Sequence, residues 1–227
     1  MPRRRPAKES RNKAKTQSSE RPNIDIKPVT ENQADYYNCI LDYDVTFCTG
    51  PAGSGKSYLA AGLAAKMILN KQFDQIIVTR PLICTGKDIG HLPGGVAEKI
   101  GPYIGPMQEN LRTFLGHYYG LLVNDRTIRF EPLETMRGFT FNSTLMILDE
   151  AQNCTAEQIK MFVTRLGKNS KIIINGDVKQ TDLKSRSGLE YIMNRVSGVE
   201  GIAICKLTHD DIQRNDVVAR FLRAIEE

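Results

Sequence analysis

Residues 50–57 read GPAGSGKS and combine three glycines with a lysine and a serine at a spacing that suits phosphate binding. The pattern is G-x-x-x-x-G-K-[ST], in which backbone N–H groups of a glycine-rich turn surround phosphate oxygens at the start of a helix. Lys56 would reach the outer phosphates of a nucleoside triphosphate, and Ser57 would bind Mg²⁺. The predicted nucleotide-binding residues are Gly50, Pro51, Ala52, Gly53, Ser54, Gly55, Lys56, Ser57 and Tyr58.

Two adjacent acids follow an apolar run in residues 145–153, which read LMILDEAQN. The apolar run predicts a buried strand, and Asp149 and Glu150 stand where that strand ends. Asp149 suits a contact with Mg²⁺, either directly or through a water molecule. Glu150, one residue further on, can polarise a water for attack on the terminal phosphate. The acid pair therefore favours hydrolysis of a nucleoside triphosphate over its storage.

A third polar element, GDVKQ at residues 176–180, ends another apolar run. Ligands of open parallel sheets bind at the carboxyl ends of the strands, so this element should lie beside the first two. Gln180 can donate a hydrogen bond to the terminal phosphate or to the attacking water, and Asp177 would help to hold the loop. The alternative is that Gly-Asp is only a turn signal.

Alternating strand and helix patterns from Val29 onward predict the scaffold for these motifs. Near-continuous apolar strands between helices indicate a five-stranded parallel sheet covered on both faces. Thr155 and Gln158 predict a capping box at the start of the second helix. Residues 81–141 are less regular and predict an insertion with a proline-broken helical stretch and a β-ribbon around 126–132. The predicted strands are 45–49, 76–79, 145–148, 172–175 and 202–206, and the helices are 56–70, 155–167 and 188–196.

The positive charge of the chain is concentrated at its start. Residues 1–30 hold nine Lys/Arg against three Asp/Glu, whereas the remainder holds 22 against 23. Ile24 is the first Ile, Leu, Val or Phe, so this segment has little apolar surface to bury. We therefore expect a disordered basic tail over 1–28 and one α/β domain over 29–227. The tail is either simply solvated or makes a weak electrostatic contact with nucleic acid.

The cysteines and the hydropathy pattern predict a cytoplasmic protein without a membrane span. Five cysteines, an odd number, show no C-x-x-C spacing, which favours free thiols over a disulfide framework or a zinc site. No apolar run approaches the roughly 18 residues that a membrane-spanning helix needs. The start of the chain also lacks the apolar core of a signal peptide.

The motifs above, together with TRP (79–81), RGFTFN (137–142) and DDIQRND (210–216), resemble in order those of the PhoH family of P-loop ATPases. The resemblance covers roughly residue 33 to the end. It implies a RecA-like fold in which the strand before GDVKQ lies between the strands of the Walker A motif (50–57) and the Walker B motif (145–150). It also implies ATP hydrolysis with Mg²⁺ and a role with RNA or single-stranded DNA.

The family resemblance also assigns roles to three residues outside the Walker A, Walker B and GDVKQ motifs. Gln33 matches a glutamine that can read the adenine edge, although from sequence alone it is an ordinary polar residue. Arg80 stands where helicase relatives of the family contact nucleic acid, and its alternative is a structural arginine. Arg137 also matches the family pattern and is a candidate nucleic-acid contact.

Arg214 matches a family arginine, and a transition-state charge on the terminal phosphate needs a further cation. Its alternative is a surface arginine beside the last helix. Because the fifth strand is an outer strand in RecA-like sheets, Arg214 would serve the site of a neighbouring subunit. The expected assembly is therefore a homo-oligomer, with a hexameric ring favoured.

Other nucleotide-dependent functions fit the sequence less well. A GTPase needs an N-K-x-D motif, and NKQFD at residues 70–74 misplaces the aspartate by one position. A nucleotide kinase needs a lid and an acceptor site. A single motor core leaves no room for a second, which argues against unwinding by a monomer. An oligomeric helicase-like motor on RNA or single-stranded DNA is favoured, and a non-motor nucleotide-binding switch or scaffold is the alternative.

Overall fold

A computed structural model describes residues 22–81, 96–180, 187–213 and 217, with the backbone alone described for 96–103. Arg214 and most of the predicted basic tail lie outside the described residues. The helices are α1 (Glu31–Asp42), α2 (Lys56–Leu69), α3 (Val96–Leu115), α4 (Tyr118–Asn124), α5 (Ala156–Val163) and α6 (Gly188–Val196). The strands are β1 (Val45–Thr49), β2 (Gln75–Thr79), β3 (Ile128–Phe130), β4 (Thr144–Leu148), β5 (Lys171–Gly176) and β6 (Ile202–Lys206).

In the described part of the chain, six strands form one sheet in the order β3-β2-β4-β5-β1-β6, and every pair is parallel. All five predicted strands are present, with their ends within one residue of the prediction. Strand β5, which precedes GDVKQ, lies between β1 and β4, as the family resemblance implies. The ends of β1, β4 and β5 therefore meet at one carboxyl edge, where the three polar motifs follow them.

Helices cover both faces of the sheet because successive strand residues point to opposite sides. In β4, Leu145 and Ile147 join the apolar core on the side of α1, α2, α3 and α4. Met146 and Leu148 join the second core, on the side of α5 and α6. All four side chains are fully buried. This two-sided burial explains why the strand has no alternation of polar and apolar residues.

The predicted insertion differs from its sequence-based description in two ways. The segment predicted as a β-ribbon instead contributes β3, which pairs in parallel with β2 and makes a sixth strand. Ile128 is almost fully buried there, and β3 satisfies the backbone groups on the free side of β2. Helix α3 continues through Pro102 and Pro106.

A helical row of core residues keeps α3 in place despite its prolines. A proline inside a helix removes one backbone hydrogen bond and crowds the preceding turn. Met107, Leu111 and Leu115 recur at helical spacing and are each at most 2% exposed. Their burial against α2 stabilises the helix, which the proline count alone did not predict.

The packed chain begins before the predicted domain boundary at residue 29. Ile24 and Ile26 are each 7% exposed and belong to the core that covers α2. Helix α1, which the sequence analysis did not predict, follows at Thr30, whose side chain accepts a hydrogen bond from the Gln33 N–H at 3.2 Å. These elements place the N-terminal segment beside the start of α2.

Candidate nucleotide site at the carboxyl edge of the sheet

The loop between β1 and α2 has the shape that a phosphate-binding turn requires. Gly53 and Gly55 adopt φ values of 84° and 94°, in the left-handed region that favours glycine. A Cβ on Gly55 would also lie 3.0 Å from the Gln33 Nε2 atom. Helix α2 begins at Lys56, directly after this turn, so its free N–H groups face the same space as the loop.

Lys56 extends its ammonium across the loop. Its Nζ atom donates hydrogen bonds to the carbonyl oxygens of Gly50 at 2.5 Å and Pro51 at 2.9 Å. Ser54, within the loop, is fully buried and donates from its hydroxyl to the same Pro51 carbonyl at 2.8 Å. The loop therefore holds a positive charge at its centre, where phosphate oxygens would bind.

Ser57 and Asp149 form the predicted metal-binding pair. The Ser57 hydroxyl donates to Asp149 Oδ1 at 2.9 Å, which brings the start of α2 to the end of β4. Burial, and to a smaller extent the neighbouring Glu150 carboxylate, raises the pKa of Asp149 to about 6, although the Ser57 hydrogen bond opposes the rise. Hard oxygen donors beside a buried carboxylate fit Mg²⁺, which binds few protein ligands in phosphate sites.

Glu150 adopts a left-handed backbone conformation, with φ 56° and ψ 39°. Its Oε1 atom lies 3.6 Å from Arg80 Nη2, and its Oε2 atom accepts a hydrogen bond from Gln152 Nε2 at 2.5 Å. A non-glycine residue in this region is strained, and such strain is concentrated at functional sites. The turn and the two neighbours together fix the carboxylate at the mouth of β4.

Gln152 is a site residue that the sequence analysis did not assign. Its side chain is buried, and its Oε1 atom accepts a hydrogen bond from the Asp177 N–H at 3.0 Å. Because its Nε2 atom donates to Glu150, one amide joins the carboxyl ends of β4 and β5. The sequence signal for a role of Gln152 was its position two residues after the acid pair. Only the fold shows that its partners are Glu150 and Asp177.

We expect Gln152→Ala to lower the turnover of nucleoside triphosphate about 10- to 100-fold, with little change in nucleotide affinity. The substitution removes a hydrogen bond to a carboxylate and leaves the buried Asp177 N–H unsatisfied. Steady-state kinetics and equilibrium binding measure the two effects separately. The matched control is Gln158→Ala, which removes the hydrogen bond from the Thr155 N–H to the Gln158 side chain at the start of α5, outside the cavity. It should leave turnover intact.

The turn after β5 places Gln180 on the cavity wall. Asp177 is buried and accepts from the Lys179 N–H at 3.0 Å through its side chain. Its carbonyl oxygen accepts from the Gln180 N–H at 3.1 Å. Asp177 therefore shapes the turn, as expected, and the exposed Gln180 side chain lines the cavity.

A cavity of about 640 Å³ joins the predicted residues at this edge. Arg80 reaches it through its ion pair with Glu150, but Arg137 is exposed at the end of a short 3-10 helix (Leu133–Met136) and does not line it. Gln213 lines the cavity, and its N–H donates to the Gly53 carbonyl at 3.1 Å. The predicted residues that line the cavity are Gln33, Ala52, Gly53, Gly55, Lys56, Ser57, Tyr58, Asp149, Glu150, Asp177 and Gln180.

Gln33 is engaged with the protein itself. Its Oε1 atom accepts from the Val29 N–H at 2.8 Å, and its Nε2 atom donates to the carbonyls of Ser54 at 3.0 Å and Asp211 at 3.3 Å. Both amide hydrogens are therefore directed at protein oxygens. Reading an adenine edge with this amide would require one of these bonds to be exchanged.

Most of the chain matches a known protein family. Residues 25–226, which include every motif of the cavity, match the family described as PhoH-like protein. The chain belongs to the PhoH family. This PhoH-family chain is 41% identical over 204 residues to a PhoH-like protein of Synechocystis sp., a match that covers 88% of this chain and 62% of the relative.

Two further PhoH relatives show similar coverage. A PhoH-like protein of Bacillus subtilis is 40% identical over 205 residues, covering 89% of this chain and 64% of the relative. Protein PhoH of Escherichia coli K12 is 39% identical over 208 residues, covering 88% and 59%. The chain thus spans about three fifths of the length of these relatives.

Solved structures support the fold of this PhoH-family chain. The UvsW helicase of bacteriophage T4 has a TM-score of 0.51 at 16% identity, covering 84% of this chain and 64% of that one. The large terminase of a thermophilic bacteriophage, in complex with ADP, has a TM-score of 0.53 at 13% identity, covering 86% and 49%. The chain therefore has the RecA-like P-loop NTPase fold. None of its described helices has the length and apolar character to cross a membrane.

Proposed function

We propose that this protein binds and hydrolyses ATP with Mg²⁺ and that its ATPase cycle acts on RNA or single-stranded DNA. The observation that supports hydrolysis is the convergence of a cation, a metal-binding pair and a second carboxylate in one cavity. Lys56, the Ser57–Asp149 pair and Glu150 all line that cavity. Simple storage of a nucleotide would not need the second carboxylate at the strand end.

Each side chain has a distinct task in this proposal. Lys56 neutralises charge on the outer phosphates, and Ser57 with Asp149 would hold Mg²⁺, which when bound screens the charge of the phosphate oxygens. Glu150 orients and deprotonates the attacking water. Gln180 donates a hydrogen bond to the terminal phosphate or to that water and so distinguishes the triphosphate from the diphosphate.

The ion pair between Arg80 and Glu150 supports a link between hydrolysis and nucleic acid. The side chains of these residues are 23% and 38% exposed, so solvent-borne phosphates can approach both. A nucleic-acid phosphate that engaged Arg80 would compete with Glu150 for the guanidinium. Release of Glu150 would then free one carboxylate oxygen for water. Arg137, fully outside the cavity, is proposed as a further phosphate contact.

The proposed assembly is a homo-oligomer, with a hexameric ring favoured, working in the cytoplasm. Strand β6 lies at the edge of the sheet, as expected, and the chain continues from it toward Arg214. Gln213, directly before Arg214, hydrogen-bonds to the P-loop of its own chain. Both a role of Arg214 in its own site and a role in a neighbour's site therefore need a test.

The deciding experiment for this proposal measures ATPase rates without nucleic acid and with poly(U), poly(A) or poly(dT). Stimulation by one of these polymers supports a nucleic-acid-coupled ATPase. Tight ATP binding without turnover under any condition would instead favour the nucleotide-binding switch or scaffold. Absence of ATP binding would contradict both.

We expect deletion of residues 1–21 to leave the basal ATPase rate unchanged and to reduce the salt dependence of nucleic-acid binding. The deletion removes eight Lys/Arg but keeps Ile24 and Ile26, which pack in the core. Each lost phosphate contact on a single strand should lower the slope of log K against log salt by about 0.7. Fluorescence anisotropy at several salt concentrations measures this slope.

A full-length variant with the same eight residues replaced by glutamine controls for chain length. It should show the same reduced slope as the deletion. An unchanged slope in both variants would mean that the tail is only solvated.

A further inference from the structure

The cavity extends beyond the phosphate-binding loop to a second end, here called the base end. Three elements form its walls: the N-terminal segment with Lys27 and Val29, helix α2 with Tyr58, and helix α3 with Pro106 and Asn110. Two of these elements, the N-terminal segment and the inserted helix, lie outside the Walker motifs. Apart from Tyr58, the base end is therefore built by parts of the chain that the nucleotide motifs did not predict.

The base end is lined mainly by apolar surface. Val29 is 69% exposed and Tyr58 is 47% exposed, although both are large hydrophobic residues. Together with the ring of Pro106 they provide apolar walls beside two polar groups, the Asn110 amide and the Lys27 ammonium, which pairs with Asp25 at 3.0 Å. Apolar and aromatic walls with a small number of polar groups are typical of a small-molecule site, and an aromatic ring suits a planar heterocycle.

Helix α3 also fixes the position of Tyr58. The Tyr58 ring packs against Phe114 at a centroid distance of 4.8 Å and an angle of 50°. Phe114 and Asn110 are four residues apart and so lie on one face of α3. A Cβ on Gly62 would lie 2.8 Å from Phe114 and 2.9 Å from Ile26, which shows how closely the three walls approach.

The amide of Asn110 is better placed to read a base than that of Gln33. Gln33 already bonds to Val29, Ser54 and Asp211, and its bond to the Val29 N–H holds one wall in position. No hydrogen bond to the Asn110 side chain is seen within the described residues, and this side chain is only half-buried. Its donor and its acceptor are both free to meet a ligand.

We infer that the base end binds the purine base of the nucleotide, with Tyr58 against the ring face and Asn110 selecting adenine at the ring edge. This inference rests on the proposed nucleotide-binding function. An asparagine amide pairs its acceptor with adenine N6 and its donor with adenine N7. Guanine presents two acceptors, O6 and N7, at the same edge, so the Asn110 carbonyl would face an oxygen. Asn110 therefore makes the site prefer ATP over GTP.

The test is calorimetric titration of the full chain with ATP, GTP and tripolyphosphate, each with Mg²⁺. Asn110→Ala should weaken ATP binding about tenfold, the lower part of the range for a bidentate amide–adenine pair. GTP binding should change much less, so the ATP-to-GTP preference disappears. Tripolyphosphate, which has no base, should bind the variant as it binds the wild type.

Two further sets of variants separate a role in the site from a general structural role. Gln108→Ala removes an amide from the same helix that does not line the cavity, and it should leave all three affinities unchanged. Tyr58→Ala should weaken ATP and GTP binding alike without affecting tripolyphosphate binding, and Tyr58→Phe, which keeps the ring, should lose much less affinity than Tyr58→Ala.

The outcomes distinguish this inference from the proposed function. Equal affinity of the wild type for ATP and GTP, or an equal loss of both in Asn110→Ala, would overturn the role of Asn110. An unchanged affinity for ATP in both Asn110→Ala and Tyr58→Ala would overturn the base end as a whole. A wild type that binds neither ATP nor tripolyphosphate would contradict the nucleotide site itself.

Discussion

Glu150→Gln should reduce steady-state ATP hydrolysis at least about 100-fold while ATP binding is retained, because the loss of a general base has effects of roughly this size. Glutamine has the same shape and can still accept the hydrogen bond from Gln152. It cannot take a proton from water, and it loses the ion pair with Arg80. The measurements are the rate of phosphate release and the dissociation constant for ATP.

The Glu150→Gln substitution should not disturb the fold. The side chain is 38% exposed, and glutamine meets the same left-handed backbone strain as glutamate. Glu200→Gln, which changes an exposed carboxylate outside the cavity, is the charge-matched control and should keep the full rate. Turnover of Glu150→Gln at the wild-type rate would disprove the role of Glu150 as the base.

Arg214→Ala should reduce the rate of hydrolysis by about 10³-fold or more, with ATP still bound by the loop and Lys56. An arginine that contacts the terminal phosphate in the transition state contributes an effect of about this size. Lysine should not restore the rate, because only the guanidinium can donate to two phosphate oxygens at once. Single-turnover kinetics at saturating ATP measure the effect on the chemical step.

Mixing variants decides which subunit's site Arg214 serves. Arg214→Ala and Glu150→Gln subunits should each be inactive alone. If Arg214 acts on a neighbour, a mixed ring contains interfaces with an intact Glu150 and an intact Arg214, and activity partly returns. If it acts on its own site, mixing restores nothing. The bond between Gln213 and Gly53 of the same chain makes this second outcome a real alternative.

Subunit exchange must be shown directly in the same mixtures. Two affinity tags, one on each variant, and recovery of both variants from one pull-down would establish mixing. Full activity of Arg214→Ala would disprove a catalytic role for Arg214, whether in its own site or in that of a neighbouring subunit. A strictly monomeric active enzyme would exclude action on a neighbouring site.

The amino-acid sequence by itself determined the local elements and the phosphate chemistry of this protein. Short runs rich in Ile, Leu and Val predicted five of the six strands in the described part of the chain, and Thr155 with Gln158 predicted the capping box that the structure contains. The Walker A glycines predicted a turn that only glycine can adopt comfortably. These features are local, because burial on both faces, capping and positive φ each depend on a few neighbouring residues.

Tertiary structure alone decided which distant residues complete the site. The sequence placed Gln33 in a polar loop and predicted base reading only by family resemblance, whereas the fold directs both of its amide hydrogens to carbonyls of Ser54 and Asp211. It also joined Gln152 to Asp177 and Arg80 to Glu150. These partners follow the ends of different strands, and no local pattern specifies which side chains meet across a sheet edge.

The inserted region shows most clearly that local sequence patterns do not specify tertiary contacts. Two prolines predicted a broken helix, but burial of Met107, Leu111 and Leu115 outweighs the lost backbone hydrogen bonds and keeps α3 continuous. The segment predicted as a β-ribbon likewise forms β3 instead, because it pairs with the free side of β2 and buries Ile128 in the apolar core. Periodicity in a sequence encodes how much surface a segment must bury, whereas the surface that covers it exists only in the folded chain.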